Sequence, residues 1–300
     1  MANSLSRISG LTLILHSLFI ILVATASAGG LPSAVMPHEY ALPLTGPDKK
    51  IQAVTLYFAE DYVGKSYNSN GDEISAPTTT RSYSMTQRYY QLFQFEALPS
   101  IGFGWQAFLS EVRSETKNNA TGARTISQGL GDPTLSGAAW IKPTNNSTLS
   151  YLFYIDMPFG SAGVSRDYYR FRNTIGYDIQ LGELNIDGAA TVVFNTNKTT
   201  AKVSTDLEPG TIFNHSLRLA YRFWGAFEPF VGYDFQATGP TKFAESGSTV
   251  VGSQYEHGIT GGLEVKIPGG HKLGLKYEQG IAGKNTSVTE TLHFKYSYMF

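Results

Sequence analysis

The chain has 300 residues, of which 16% are charged, and a formal net charge of -1, so nothing in its charge points to a nucleic-acid partner. It contains no Cys, which excludes a disulfide framework and a lipid-attachment thiol. Its 18 Tyr, 18 Phe and 31 Gly mix strand formers with turn formers, and the composition reads as all-β.

In chain order, residues 1–28 carry Arg7, an apolar run from Leu11 to Val23, and Ala26 and Ala28 in an A-x-A arrangement. This is the pattern of a secretory signal peptide cleaved after Ala28, and it predicts export; the alternative, an N-terminal anchor, needs a longer apolar run. Residues 29–50, GGLPSAVMPHEYALPLTGPDKK, hold four Pro and no period. They are expected as an extended periplasmic segment. It either enters a barrel as a plug, with Asp48, Lys49 and Lys50 meeting lumen charges, or stays outside as a tail. After the leader no second long apolar stretch occurs, which excludes helical insertion but not a β-barrel, whose alternating strands keep mean hydropathy near neutral.

From residue 51 to residue 300 the pattern predicts about twelve strands, near 51–62, 83–95, 101–112, 133–141, 148–156, 168–180, 184–194, 212–223, 227–237, 255–266, 271–280 and 289–300. Their connections alternate in length. EALPS, KPTNNS, LGE, WGA and IPGG are short, whereas VGKSYNSNGDEISAPTTTRS and RSETKNNATGARTISQGLGD are long and polar. Short turns on one side and long loops on the other are the asymmetry of a transmembrane, antiparallel, up-and-down outer-membrane barrel, and an even strand number returns both ends to the periplasmic side.

Alternation supports this. Leu217, Leu219, Tyr221 and Phe223 oppose Ser216, Arg218, Ala220 and Arg222, and Leu273, Leu275 and Tyr277 oppose Lys272, Gly274, Lys276 and Glu278. The first two strands alternate poorly. Parity assigns to the lumen Arg170, Arg172, Arg218, Arg222, Lys266, Lys272, Lys276 and Lys295, against Asp178, Asp187, Asp234, Glu256, Glu264 and Glu278, with His293 as a polar filler. Glu264 is expected opposite Lys272, Arg222 opposite Glu228, and Lys276 opposite or diagonal to His293. Arg218, Lys276 and Lys295 are expected near mid-height, as a positive cluster that would make an open pore mildly anion-selective.

The final strand, TLHFKYSYMF, sets Leu292, Phe294, Tyr296, Tyr298 and Phe300 on one face and Thr291, His293, Lys295, Ser297 and Met299 on the other. It closes the barrel in this reading, and Phe300 resembles the C-terminal signal that the barrel assembly machinery of Gram-negative bacteria reads. Catalytic candidates are sparse. His215 and Ser216 are neighbours, and neighbours on a strand point to opposite faces, so a hydrolase of the outer-membrane phospholipase kind lacks its His and Ser spacing. The His residues show no metal-binding spacing, and no cofactor is expected. GLGDPT leads into a strand, not a helix, and cannot cradle phosphate.

QGLGDPTLSGAAWI, residues 128–141, with Gly129, Leu130, Gly131 and Asp132 at its centre, resembles the outer-membrane family named for the meta-pathway of phenol degradation. In that family a GLGD-type motif follows a long loop and opens a strand. MPFG, residues 157–160, is similar to the family's Pro-Thr-Gly, with Phe159 where Thr is usual. Gly129 and Gly131 would permit positive φ, and Pro133 suits a first strand position. The resemblance implies a non-enzymatic outer-membrane channel or transporter for small solutes, among them aromatic compounds or aromatic acids. A structural or surface-binding barrel is the alternative.

Overall fold

The last strand pairs with the first: Val54 faces Tyr298, Leu56 faces Tyr296 and Phe58 faces Phe294 across an antiparallel ladder. The first strand also pairs along its other edge with the second, so the sheet has no free edge and closes into a barrel. The computed structural model describes residues 36, 38–46, 49–196 and 207–300; the expected signal peptide and Asp48 lie outside these. Its wall is a closed antiparallel barrel of 12 strands. They are β1 (Ile51–Tyr67), β2 (Glu73–Gln94), β3 (Ile101–Asn118), β4 (Thr134–Thr144), β5 (Ser147–Asp156) and β6 (Arg170–Leu181). The circuit continues through β7 (Leu184–Asn195), β8 (Ile212–Tyr221), β9 (Phe227–Thr238), β10 (Gln254–Ile267), β11 (His271–Lys284) and β12 (Glu290–Met299).

Each strand pairs with its neighbours in sequence, the up-and-down order expected from the loop-length rhythm. Outward rows are apolar. On β12 Leu292, Phe294 and Tyr298 are exposed while Thr291, His293 and Lys295 are buried, and on β8 Phe213 and Leu219 are exposed while Ser216 and Arg218 are buried. This period of two is what a wall between lipid and a polar interior requires. Among the described residues no helix is long and apolar enough to cross a membrane.

At one end the turns are tight: Gly182–Glu183 between β6 and β7, and residues 268–270 between β10 and β11, where Gly269 and Gly270 take φ of 87° and 85°. At the other end the structure corrects the predicted long loops. Residues 63–82 and 113–132 are mostly strand: β1 runs on to Tyr67, β2 begins at Glu73, β3 reaches Asn118, and Arg124–Leu130 folds back onto β3. Polar residues stand on both faces of these hairpins, as in the Thr80–Thr116 hydroxyl pair at 3.1 Å and the Arg124–Glu115 ion pair at 2.6 Å. Where no face meets lipid, no apolar alternation is selected, and the periodic signal disappears while the ladder continues.

At the seam, Phe300 and Gln52 exchange backbone hydrogen bonds of 3.1 and 2.9 Å, and the Phe300 ring stacks on Tyr298 at 5.5 Å. Deleting Phe300 removes both bonds, each worth about 1 kcal/mol net. The deletion variant is expected to give a smaller fraction of the folded, fast-migrating form on unboiled gels, and Phe300→Tyr is expected to restore it.

Candidate functional site

The barrel interior holds a dense set of ion pairs. Arg218 on β8 donates two hydrogen bonds of 2.8 Å to the Asp234 carboxylate on β9, and both side chains are fully buried. Lys276 meets Glu278 at 2.8 Å along β11 and stands directly across from His293 on β12. Lys295 meets Glu264 at 3.2 Å, and Arg222 and Lys266 share Glu228 at 3.1 and 2.8 Å. Lys272 reaches Glu264 diagonally, since the residue directly across from Glu264 is Gly274. In a low-dielectric interior each charge needs such a partner. The mid-height cluster expected to draw anions is therefore corrected: Arg218, Lys276 and Lys295 are each matched to a carboxylate.

A second set of partners comes from ahead of the barrel. Residues 38–46 and Met36 run through the interior as an irregular segment, and it is His38 and Glu39, not Lys49 and Lys50, that engage the wall; Lys49 and Lys50 are exposed. The Glu39 carboxylate accepts from Arg88 on β2 at 2.9 Å and from Lys295 on β12. Arg88 also donates to Tyr57 and Gln106, at 2.8 and 2.7 Å. His38 sits between two carboxylates, its Nε2 2.9 Å from Glu228 and its Nδ1 3.4 Å from Asp178, while its backbone N–H donates to Asp187. Burial alone would raise the Glu39 pKa, but Lys295 and Arg88 hold it down to about 2. Burial alone would lower that of His38, yet the hydrogen bonds to Asp178 and Glu228 carry it above the ordinary imidazole value.

Apolar contacts alternate with these polar ones. Met36 packs with Ala220 and Phe230, Tyr40 with Leu152 and Ala189, and Leu42 with Leu92 and Trp140. The wall makes room for them. A Cβ at Gly176 would lie 2.3 Å from the Tyr40 ring, and one at Gly274 would lie 2.7 Å from Met36 Sδ.

The GLGD stretch acts at the upper wall. Gly129 alone of its glycines has positive φ, 156°, and a Cβ there would lie 2.4 Å from Ser161; Gly131 instead donates its N–H to Ser110 O at 2.8 Å. The Asp132 carboxylate accepts from the backbone N–H groups of Gly160 and Arg166, at 3.1 and 2.9 Å. Leu130 is exposed, and its carbonyl accepts from Ser161 N at 2.8 Å. The motif thus pins loop 157–169 onto the strand that folds back on β3. From that loop the chain enters β6, where Arg172 meets Asp156 at 2.7 Å and Arg170 donates to Asn195 at 3.3 Å. Phe159, at the position that departs from the family pattern, is exposed against the edge of Tyr169.

His215 and Ser216 point to opposite faces, His215 half-buried on the outer side and Ser216 buried inside. Among the described residues no group of His, Asp and Glu is arranged to hold a metal ion. Sequence parity missed Arg88, Tyr57 and the His38–Glu39 pair. The signal for the pair was its setting: two adjacent ionisable residues inside an apolar stretch, flanked by Met36, Tyr40 and Leu42.

The profile of the family described by the MetA-pathway of phenol degradation matches residues 64–296. The chain belongs to this family. Comparison with curated proteins returns no match. Among solved structures, an outer membrane channel from Pseudomonas putida F1 superposes with a TM-score of 0.79 at 16% identity, covering 89% of this chain and 100% of that one. The β domain of the Bordetella autotransporter BrkA superposes at 0.52 and 12% identity, covering 84% of this chain and 100% of that one. At such identities the likeness is one of fold, an outer-membrane β-barrel surrounded by lipid.

Two outcomes follow for the lumenal segment. A raised folded-state pKa at His38 stabilises the docked segment fully below the free imidazole value, about 6.5, and that contribution is lost as pH rises through the folded value. The facing groups are Asp178, Asp187 and Glu228 on the wall and Lys272 on β11; Glu39 stays ionised throughout that range. Since the chain has no Cys, a single Cys at Leu42 reports docking alone. Its labelling by a membrane-impermeant maleimide, corrected for thiolate fraction, is expected to speed up from mildly acidic to alkaline pH, and a His38→Gln background is expected to flatten the dependence. Gly176→Val, which drives a side chain into the Tyr40 ring, is expected to expose the same Cys at all pH values while the barrel still migrates as the folded form.

Proposed function

We propose that the protein is an outer-membrane channel for small aromatic solutes, obstructed at rest by its own residues 36–46. The observation that carries this reading is the width of the lumen. The wall accommodates a full polypeptide segment together with the Met36, Tyr40 and Leu42 side chains, and inward glycines at 176 and 274 leave space that barrel side chains do not fill. Barrels of about eight strands fill their interiors with side chains, whereas this wider one leaves a path once the segment moves. The aromatic preference is supported by Tyr57, Tyr90, Phe108 and Tyr154 on the inner wall and by the family's association with phenol degradation.

The experiment is conductance of the purified, refolded protein in a planar bilayer, with and without residues 29–45. The full chain is expected to show small or intermittent conductance and the deletion a larger, steady one. Silence in both would favour the alternative, a structural or surface-binding barrel closed by its paired charges.

A further inference from the structure

One wall of the lumen carries a row of rings and guanidinium groups in alternation. Arg88 on β2 lies over the Tyr90 ring at 4.8 Å and over Phe108 on β3 at 5.5 Å. Phe108 and Tyr154 on β5 approach to 6.2 Å between centroids, and Arg172 on β6 lies over Tyr154 at 4.6 Å. The two rings meet across β4 because its inward residues there, Thr134 and Ser136, are small.

The charge balance of this wall differs from the rest of the interior. Arg172, Arg170 and Arg166 gather at its upper end around Asp156 and Asp132. The Asp156 carboxylate already accepts from the Thr134 hydroxyl at 2.6 Å, and Asp132 is occupied by two backbone N–H groups with Arg166 3.9 Å away. Arg170 has an amide partner, Asn195, and no carboxylate within ion-pair distance among the described residues. The Arg172 Nε is buried without a hydrogen-bond partner. Accessibility separates the two regions: the Arg172 and Arg166 side chains are 32% and 41% exposed, whereas Arg218 and Lys276 are at 0%. The upper wall thus sets three partly exposed guanidinium groups against two carboxylates, beside the Phe108 ring and a Tyr154 ring that also packs against the Tyr40 cluster.

We propose that this wall is a binding site for aromatic anions, arene carboxylates or phenolates, with the ring against Tyr154 and Phe108 and the anionic oxygens on Arg172 and Arg170. Guanidinium groups pair with carboxylates through parallel N–H donors, and ring faces add contact that a non-aromatic acid of the same size lacks. The inference rests on the channel reading only for how the ligand arrives.

The test is calorimetric titration of the refolded full chain with sodium benzoate at constant chloride, beside cyclohexanecarboxylate and benzylammonium. Benzoate is expected to bind saturably, about threefold or more tighter than cyclohexanecarboxylate, and benzylammonium not at all. Arg172→Gln is expected to weaken benzoate about tenfold, the scale of one charge-assisted hydrogen bond. Tyr154→Leu is expected to erase the difference between the two acids while leaving cyclohexanecarboxylate binding in place, so the test survives if one variant does not fold. Equal affinity for both acids, or benzoate binding unmoved in both variants, overturns the proposal. Efflux of benzoate from liposomes separates the two readings: binding without efflux preserves the site and overturns the channel, and conductance to small ions without benzoate binding does the reverse.

Discussion

Everything in this molecule depends on the closure of one hydrogen-bonded sheet. In the hydrocarbon layer no water is present to satisfy backbone N–H and C=O groups, so every strand must find partners on both edges. The β1–β12 ladder, from Ala53 against Met299 to Tyr62 against Glu290, provides the last of them. Once the circle closes, the period of two sends one row of each strand to lipid and the other inward, and it is this division that gathers the charges of β6 to β12 in one confined space.

Confinement then dictates pairing. A buried cation or carboxylate without a partner costs several kcal/mol, and the wall largely meets this with cross-strand and diagonal pairs such as Arg218–Asp234 and Lys272–Glu264. It does not do so entirely. Arg88 and Lys295 both turn to Glu39, and Asp178, Asp187 and Glu228 converge on His38, so the interior is complementary to a segment that belongs to no strand. Electrostatic complementarity of this kind specifies where a segment docks more than it adds to stability.

The barrel was legible because lipid imposes alternation. Rows such as Leu292, Phe294, Tyr296 and Tyr298 identify both the strand and its outward face, and parity follows from them for Arg218, Lys276 and Lys295. The hairpins above the membrane read as loops because Thr78, Thr79, Thr80, Arg81 and Ser82 put polar side chains on both faces, and a ladder polar on both faces leaves no periodic trace. Partners were less legible than faces. Parity places Lys276 and Lys295 inside but cannot say that Glu278 and Glu39 neutralise them, since one lies two residues along the same strand and the other in the lumenal segment that precedes the first strand. Arg88 escaped notice for a related reason: β2 alternates weakly, with Tyr89 outside and Tyr90 inside, so aromatic character there does not mark a face.

The lumenal segment leads directly into β1, the strand at the barrel seam, with only residues 47–50 between Gly46 and Ile51. A tether this short keeps an undocked segment within a few tens of ångströms of its seat, where its effective concentration is in the millimolar range. Redocking is therefore unimolecular and independent of how much protein the membrane holds. In the proposed channel a segment that undocks stays tethered to the barrel, so opening would be an event of a single chain that needs no second molecule to end it.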